Sequence, residues 1–216
     1  MLYFIGMNDF FGSINIIIFI PVLLFSVGIH EAMHGFAAHW LGDSTAQEQG
    51  RLTLNPLKHL DLYTSIILPL VLVLSHLPPF FVAKPVPFNP SRVKYDEFGV
   101  AIIGVTGPLT NISLAIIAAI LLKLPVILGS GTMVQILLTV VIVNVSLAVF
   151  NMIPFPPLDG SRLLYAFAPE SLQRLMASLE SSGFMIIIIF MVIFMSSGLG
   201  EIIVRIDNSV IRLLLG

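Results

Sequence analysis

His30, Glu31 and His34 lie in the run His-Glu-Ala-Met-His. On a helix, residues four apart sit one turn from each other on nearly the same face, so two imidazole nitrogens can meet one ion with a carboxylate beside them. Two histidines and a neighbouring glutamate are the parts of a zinc site with a general base. The surroundings sharpen the reading. The stretch from about Ile14 to Trp40 is otherwise almost wholly apolar, and ionisable groups in such a helix are costly unless they pair with one another or bind a metal.

Catalytic zinc keeps three protein ligands and leaves one position for water, so a third donor is required. The chain has no Cys, which excludes thiolate ligands, thiol catalysis and disulfides. Among the carboxylates, Asp43, Glu48, Asp61, Asp96 and Glu97 fall in polar loops, Glu170 and Glu180 in an amphipathic region, and Asp9, Glu201 and Asp207 near the ends. Asp159 alone closes an apolar span, in Phe150-Asn-Met-Ile-Pro-Phe-Pro-Pro-Leu-Asp-Gly160, where three prolines stop the helix at membrane depth. It is the expected third ligand; capping the helix that begins at Gly160 is another use of the same carboxylate. With a metal as Lewis acid and Glu31 as proton carrier, the chemistry expected is peptide-bond hydrolysis. Asn144 and Asn151, seven apart on one helix face, are candidates to hold an extended substrate through their amides, with interhelical hydrogen bonds as the alternative. His39, His59 and His76 read as interfacial or loop residues, with a place behind the site left open for His59.

The elements that must position these groups are helices in a bilayer. Of 216 residues 57% are hydrophobic and only 10% charged, with mean hydropathy +1.02, far from the roughly one-quarter charged usage of soluble domains. The expected fold is an all-α polytopic membrane protein, a bundle of about four to six membrane elements at ~20 residues per span. A short β or extended re-entrant region is expected near the active site. Clear spans are expected at about 14–40, 98–124, 132–153 and 184–199, an amphipathic helix at 161–180 and an interfacial one at 201–215. The alternation in Arg51-Leu-Thr-Leu-Asn55 suggests a strand that could pair with an extended substrate, with a plain solvated loop turn as the equal alternative; 64–82 is apolar but broken by Pro69, Pro78 and Pro79, and prolines at 85, 87 and 90 exclude helix there. The first basic residues, Arg51 and Lys58, follow the first span, which places the N-terminus outside and the metal motif toward the cytosol; a re-entrant 64–82 then keeps Lys84, Arg92 and Lys94 on that side. No basic residue precedes the first apolar run, so it is expected to be retained rather than cleaved as a leader. A net charge of −2 without basic clusters argues against nucleic acid as partner.

Taken in order, HEAMH, GRLTLNPLKHLD, AKPVPFNP, GPLTN and FNMIPFPPLDG resemble the site-2 protease family of intramembrane zinc metalloproteases in its short prokaryotic form. The resemblance spans about residues 15–165. It implies one zinc per chain held by His30, His34 and Asp159, Glu31 as catalytic base, and Asn151 helping to position substrate. It also implies cleavage of a membrane protein's transmembrane helix near the cytosolic face of a prokaryotic plasma membrane, often in regulated intramembrane proteolysis. One intramembrane metalloprotease domain is expected over 1–216, with a catalytic core at about 13–165 and C-terminal amphipathic and membrane helices at 166–216. No PDZ or CBS domain and no span before the catalytic helix are expected. Two other functions use similar residues. A membrane metal transporter or channel would spread metal-binding groups across both leaflets, and an inactive scaffold of the same fold would have no need of Glu31.

Overall fold

The computed structural model describes residues 15–59, 67, 84–182 and 197–216, and between the last two 185–186, 189–190 and 193–194. Among the described residues three helices are long and apolar enough to cross a membrane: α1 (Ile16–Trp40), α2 (Asp96–Leu121) and α3 (Gly131–Asn151). They are followed by α4 (Gly160–Phe167), α5 (Glu170–Ser181) and α6 (Leu199–Leu215). The boundaries have local causes. Asn15 caps α1 by accepting from the Ile17 N–H at 3.0 Å, and Gly42, at φ +104°, turns the chain away after the helix ends. Asp96 and Glu97 open α2, where carboxylates suit the positive end of the helix dipole. Ser130 caps α3. Residues 84–89 carry no helix, as Pro85 and Pro87 require.

Helix α2 lies at the centre. Ala115, Ala118 and Ala119 pack against Val141 and Val145 of α3, and Val210, Ile211, Leu214 and Leu215 of α6 cover the same cluster. Small residues matter here because lipid is as apolar as a leucine side chain, so association in a bilayer depends on close van der Waals approach. Toward its other end α2 presents Gly104, Gly107 and Asn111, spaced i, i+3 and i+7 along one face, toward α1 and α4. Large apolar side chains such as Ile17, Trp40, Leu109, Ile117 and Ile120 point outward, the arrangement a lipid solvent favours.

One expectation changes. Residues 51–55 form bends rather than the strand their alternation suggests. The Thr53 N–H bonds back to the Arg51 carbonyl, and the Thr53 hydroxyl accepts from the Asn55 N–H, so local bonds replace a ladder. Among the described residues there is no strand, and three helices are of membrane length. The re-entrant element expected at 64–82 falls outside the described residues apart from residue 67, and the span at 184–199 is described only in part.

Candidate metal centre

Among the buried residues of α1, Ser26, His30, His34 and Ala38 form one stripe, each four residues from the next. Its two imidazoles meet α2 at Gly107, where any Cβ would lie 2.5 Å from His34 Nε2 and 2.6 Å from His30 Cε1. Glycine is what allows the rings to sit against the helix backbone. Asp159 arrives from the other side. The proline-broken turn after α3 folds back so tightly that a Cβ on Gly160 would meet the Met152 carbonyl oxygen at 2.3 Å. Gly104 lets α4 approach α2, since a Cβ there would stand 2.8 Å from the Arg162 Cβ and 3.1 Å from the Asp159 carbonyl oxygen.

These approaches place Asp159 Oδ2 3.0 Å from His30 Nε2 and Oδ1 3.3 Å from His34 Nε2, with the two Nε2 atoms 3.1 Å apart. One donor atom from each residue falls within 4.8 Å of the others. Asp159 makes no capping hydrogen bond to α4, although it occupies the N-cap position. Both histidines engage a neighbour through Nδ1: His34 donates to the Ile103 carbonyl at 2.7 Å, and His30 Nδ1 lies 2.5 Å from Asn111 Oδ1. A backbone carbonyl can only accept, so His34 carries a proton on Nδ1, which leaves Nε2 as the nitrogen that can ligate a cation. Two imidazole Nε2 atoms and a carboxylate therefore converge, and Asp159 Oδ2 is buried with no hydrogen-bond partner besides the histidine nitrogens. Such a group needs a cation between its members, either a proton or a metal ion. The nitrogen and oxygen donors, three in number with their other nitrogens held by neighbours, fit a zinc site of the catalytic type.

Glu31 points out of the stripe toward the segment 84–89, where its Oε2 accepts from the Val86 N–H at 3.0 Å. That segment is tied down along its length. The Lys84 N–H donates to the His59 carbonyl, Arg51 to the Lys84 carbonyl, and the Asn89 N–H to Asp43 Oδ2 at 2.7 Å. His59 is buried within this loop system and bonds the Thr53 carbonyl.

Asn144 is fully buried; its amide bonds Asn111, Ser26 and the Val140 carbonyl. Asn151 is half-buried and donates to the Leu147 carbonyl one turn back. Four groups that support the site have no role assigned by sequence: Asn111, the Ile103 carbonyl, the Val86 N–H and Asp43. Asn111 has a signal, since an amide in the middle of a membrane span needs a partner. The others have none, because backbone groups carry no residue identity and Asp43 looks like any loop carboxylate. Among the described residues, His30, His34 and Asp159 are the one group of metal-ligating side chains found together.

A family model described as peptidase family M50 matches residues 125–195. "Putative zinc metalloprotease YwhC" of Bacillus subtilis (strain 168) is 36% identical over 181 residues, covering 81% of this chain and 78% of its own. "Putative zinc metalloprotease Rip2" of Mycolicibacterium smegmatis (strain ATCC 700084 / mc(2)155) is 28% identical over 177 residues, 78% of this chain and 64% of its own. No solved structure gives a significant match.

Proposed function

This chain belongs to peptidase family M50, the site-2 protease family, and from that premise we propose that it hydrolyses a peptide bond in or near the transmembrane segment of a membrane-protein substrate. It is a zinc metalloprotease and, with three apolar helices of membrane length, a multi-pass integral membrane protein. His30, His34 and Asp159 hold one zinc per chain, Glu31 is the catalytic base, and Asn151 contacts the substrate backbone. The observation that carries this reading is the convergence of two histidine Nε2 atoms and a buried carboxylate oxygen, with no partner besides them, beside a glutamate. The active site faces the cytosolic side of a prokaryotic plasma membrane, supported by Arg51 and Lys58 following α1. Release of a fragment by regulated intramembrane proteolysis is the role that suits such a site.

Bound zinc supplies a Lewis acid that polarises a carbonyl and makes water more acidic. The protein's own groups do the rest. Glu31 has one carboxylate oxygen held by Val86 and takes a proton from the attacking water, whose oxygen bonds to the carbonyl carbon. As the carbon–nitrogen bond breaks, Glu31 returns that proton to the leaving amine. The substrate must be extended at the cut, so helix-weakening Gly, Pro or Asn near the cytosolic end of its span is expected.

Purified protein should contain about one zinc per chain and cut a transmembrane reporter in liposomes. Glu31→Gln should keep the metal and lose cleavage by about 10²–10⁴-fold. Cleavage that survives both Glu31→Gln and chelation would overturn the reading; zinc flux into the vesicles without cleavage would point to transport.

A further inference from the structure

Asn111 and Asn144 lie end to end between the metal centre and the backbone of α3. Asn144 Nδ2 donates to the Val140 carbonyl at 2.9 Å and to Ser26 Oγ at 2.8 Å; Asn111 Nδ2 donates to Asn144 Oδ1 at 2.7 Å; His30 Nδ1 meets Asn111 Oδ1 at 2.5 Å. Both amides are fully buried. The direction of every bond follows from the last acceptor. The Val140 carbonyl has no proton to give, so Asn144 must turn its NH₂ toward it and its oxygen toward Asn111. Asn111 then has to present NH₂ to Asn144 and oxygen to His30, although an isolated asparagine side chain could face either way. An oxygen facing His30 Nδ1 keeps the proton on that nitrogen, and Nε2 is left with a lone pair.

We propose that Asn111 and Asn144 are positioning residues that select the His30 tautomer able to ligate the metal, with α3's backbone as the fixed end of the chain. This rests on the reading of His30 as a zinc ligand. The proposal gives Asn144 a role behind the ligand, in place of a substrate contact. It also explains why α3 needs a polar residue at a depth where an unsatisfied amide is expensive. The two histidines are held by different means. His34 leans on a main-chain carbonyl that cannot turn over, whereas His30 leans on a side chain that can, and so needs the second asparagine to hold it.

The test reads tautomer and metal separately. In metal-free protein labelled with ¹⁵N-histidine, His30 and His34 should both show the Nδ1–H pattern. Asn111→Leu should move His30 away from it while His34 stays unchanged, and should weaken zinc binding by about 10–100-fold, the usual cost of losing such a partner. Asn111→Asp keeps an acceptor facing His30 but sets its other oxygen against Asn144 Oδ1, so it should keep the Nδ1–H tautomer of His30 at a cost in stability. Asn144→Leu frees the Asn111 amide to turn over, so it should give a mixture of His30 tautomers and a smaller loss of affinity. An unchanged His34 spectrum reports that the fold is intact; if Asn111→Leu disturbs it, Asn144→Leu and Asn111→Asp decide the matter.

The proposal is overturned if His30 keeps its Nδ1–H form in the leucine variants. It is equally overturned if Asn144→Leu raises KM for the reporter with tautomer and zinc affinity unchanged, the signature of a substrate contact. The tautomer is read without metal or substrate. Failure of the zinc protease reading would instead appear as wild-type protein with the expected tautomers and no zinc affinity.

Discussion

Gly107 decides whether the histidines can reach one point. With a methyl group there, two ring atoms of the ligand pair would stand inside contact distance, at 2.5 and 2.6 Å, and the helix backbone behind it has little room to retreat. Gly107→Ala should therefore misplace the imidazoles while leaving the rest of the bundle folded. Displacement of about 1 Å at such a centre costs about 10²-fold in rate, and zinc affinity should fall with it. Titration with a chromophoric zinc chelator, alongside reporter cleavage, checks this; wild-type affinity in the alanine variant would show that the rings have slack. His30, Glu31 and His34 are legible in sequence because two imidazoles and a carboxylate at that spacing in an apolar helix are too costly to keep without a metal. Asn111 signals only that it needs a partner, and Gly107 gives no signal, since the rotation of α2 about its axis relative to α1 is not encoded in local spacing.

At the scale of elements, segment 84–89 depends on Asp43. Its Oδ1 accepts from the Thr45 N–H at 3.1 Å and hydroxyl at 2.6 Å, and its Oδ2 from the Asn89 N–H at 2.7 Å. Burial alone would raise this carboxyl's pKa; the hydrogen bonds from Thr45 and Asn89, with the Arg92 charge nearby, outweigh it and hold the group below the usual carboxylate range. A lowered folded pKa means stabilisation that is fully present above the unfolded value of about 3.9 and is lost as pH falls through the lower folded one. Asp43→Asn sets an NH₂ against the Asn89 N–H and should cost about 1–3 kcal/mol. Thermal melts in detergent should show that loss at pH 7 and a shallower decline toward acid than wild type. Cleavage should also fall, because the same segment holds the Val86 N–H against Glu31. Prolines 85 and 87 make the absence of helix here readable in sequence. Which carboxylate anchors the segment is a matter of how loops from either side of residues 60–83 meet.

For the molecule as a whole, the joint between α3 and α6 is set by Asp207, which lies outside the three spans. Asp207 Oδ2 accepts from Ser146 at 2.8 Å, while its Oδ1 is buried without a partner. Burial pushes the carboxyl up to about 6, the Ser146 hydrogen bond pulling against it. A raised folded pKa stabilises docking of α6 fully below about 4 and loses that contribution as pH rises through about 6. Wild-type protein in detergent should accordingly melt higher at pH 5 than at pH 8. Asp207→Asn, neutral throughout, should remove most of that difference and raise the melting temperature at pH 8. An unaltered pH dependence in the variant would mean the joint is stabilised elsewhere.

Composition and apolar run length by themselves determined that the chain lives in a membrane, and placed α1, α2 and α3 to within a few residues, because a bilayer rewards only long unbroken apolar helices. Sequence also pointed to His30, His34 and Asp159, since a carboxylate or imidazole at membrane depth is costly, and the structure brings these three together as a group that could hold a metal ion. Only the tertiary structure decided how those members meet. Asp159 lies more than a hundred residues from His34, and it reaches the pair because Gly104, Gly107 and Gly160 remove the side chains that would keep three helices apart. The strand suggested by Arg51–Asn55 failed for the converse reason: alternation states a preference, but a ladder requires a neighbouring strand, and local bonds to Thr53 were nearer. The direction of the asparagine chain, running from a backbone carbonyl on α3 to a lone pair on α1, likewise exists only once the helices are packed.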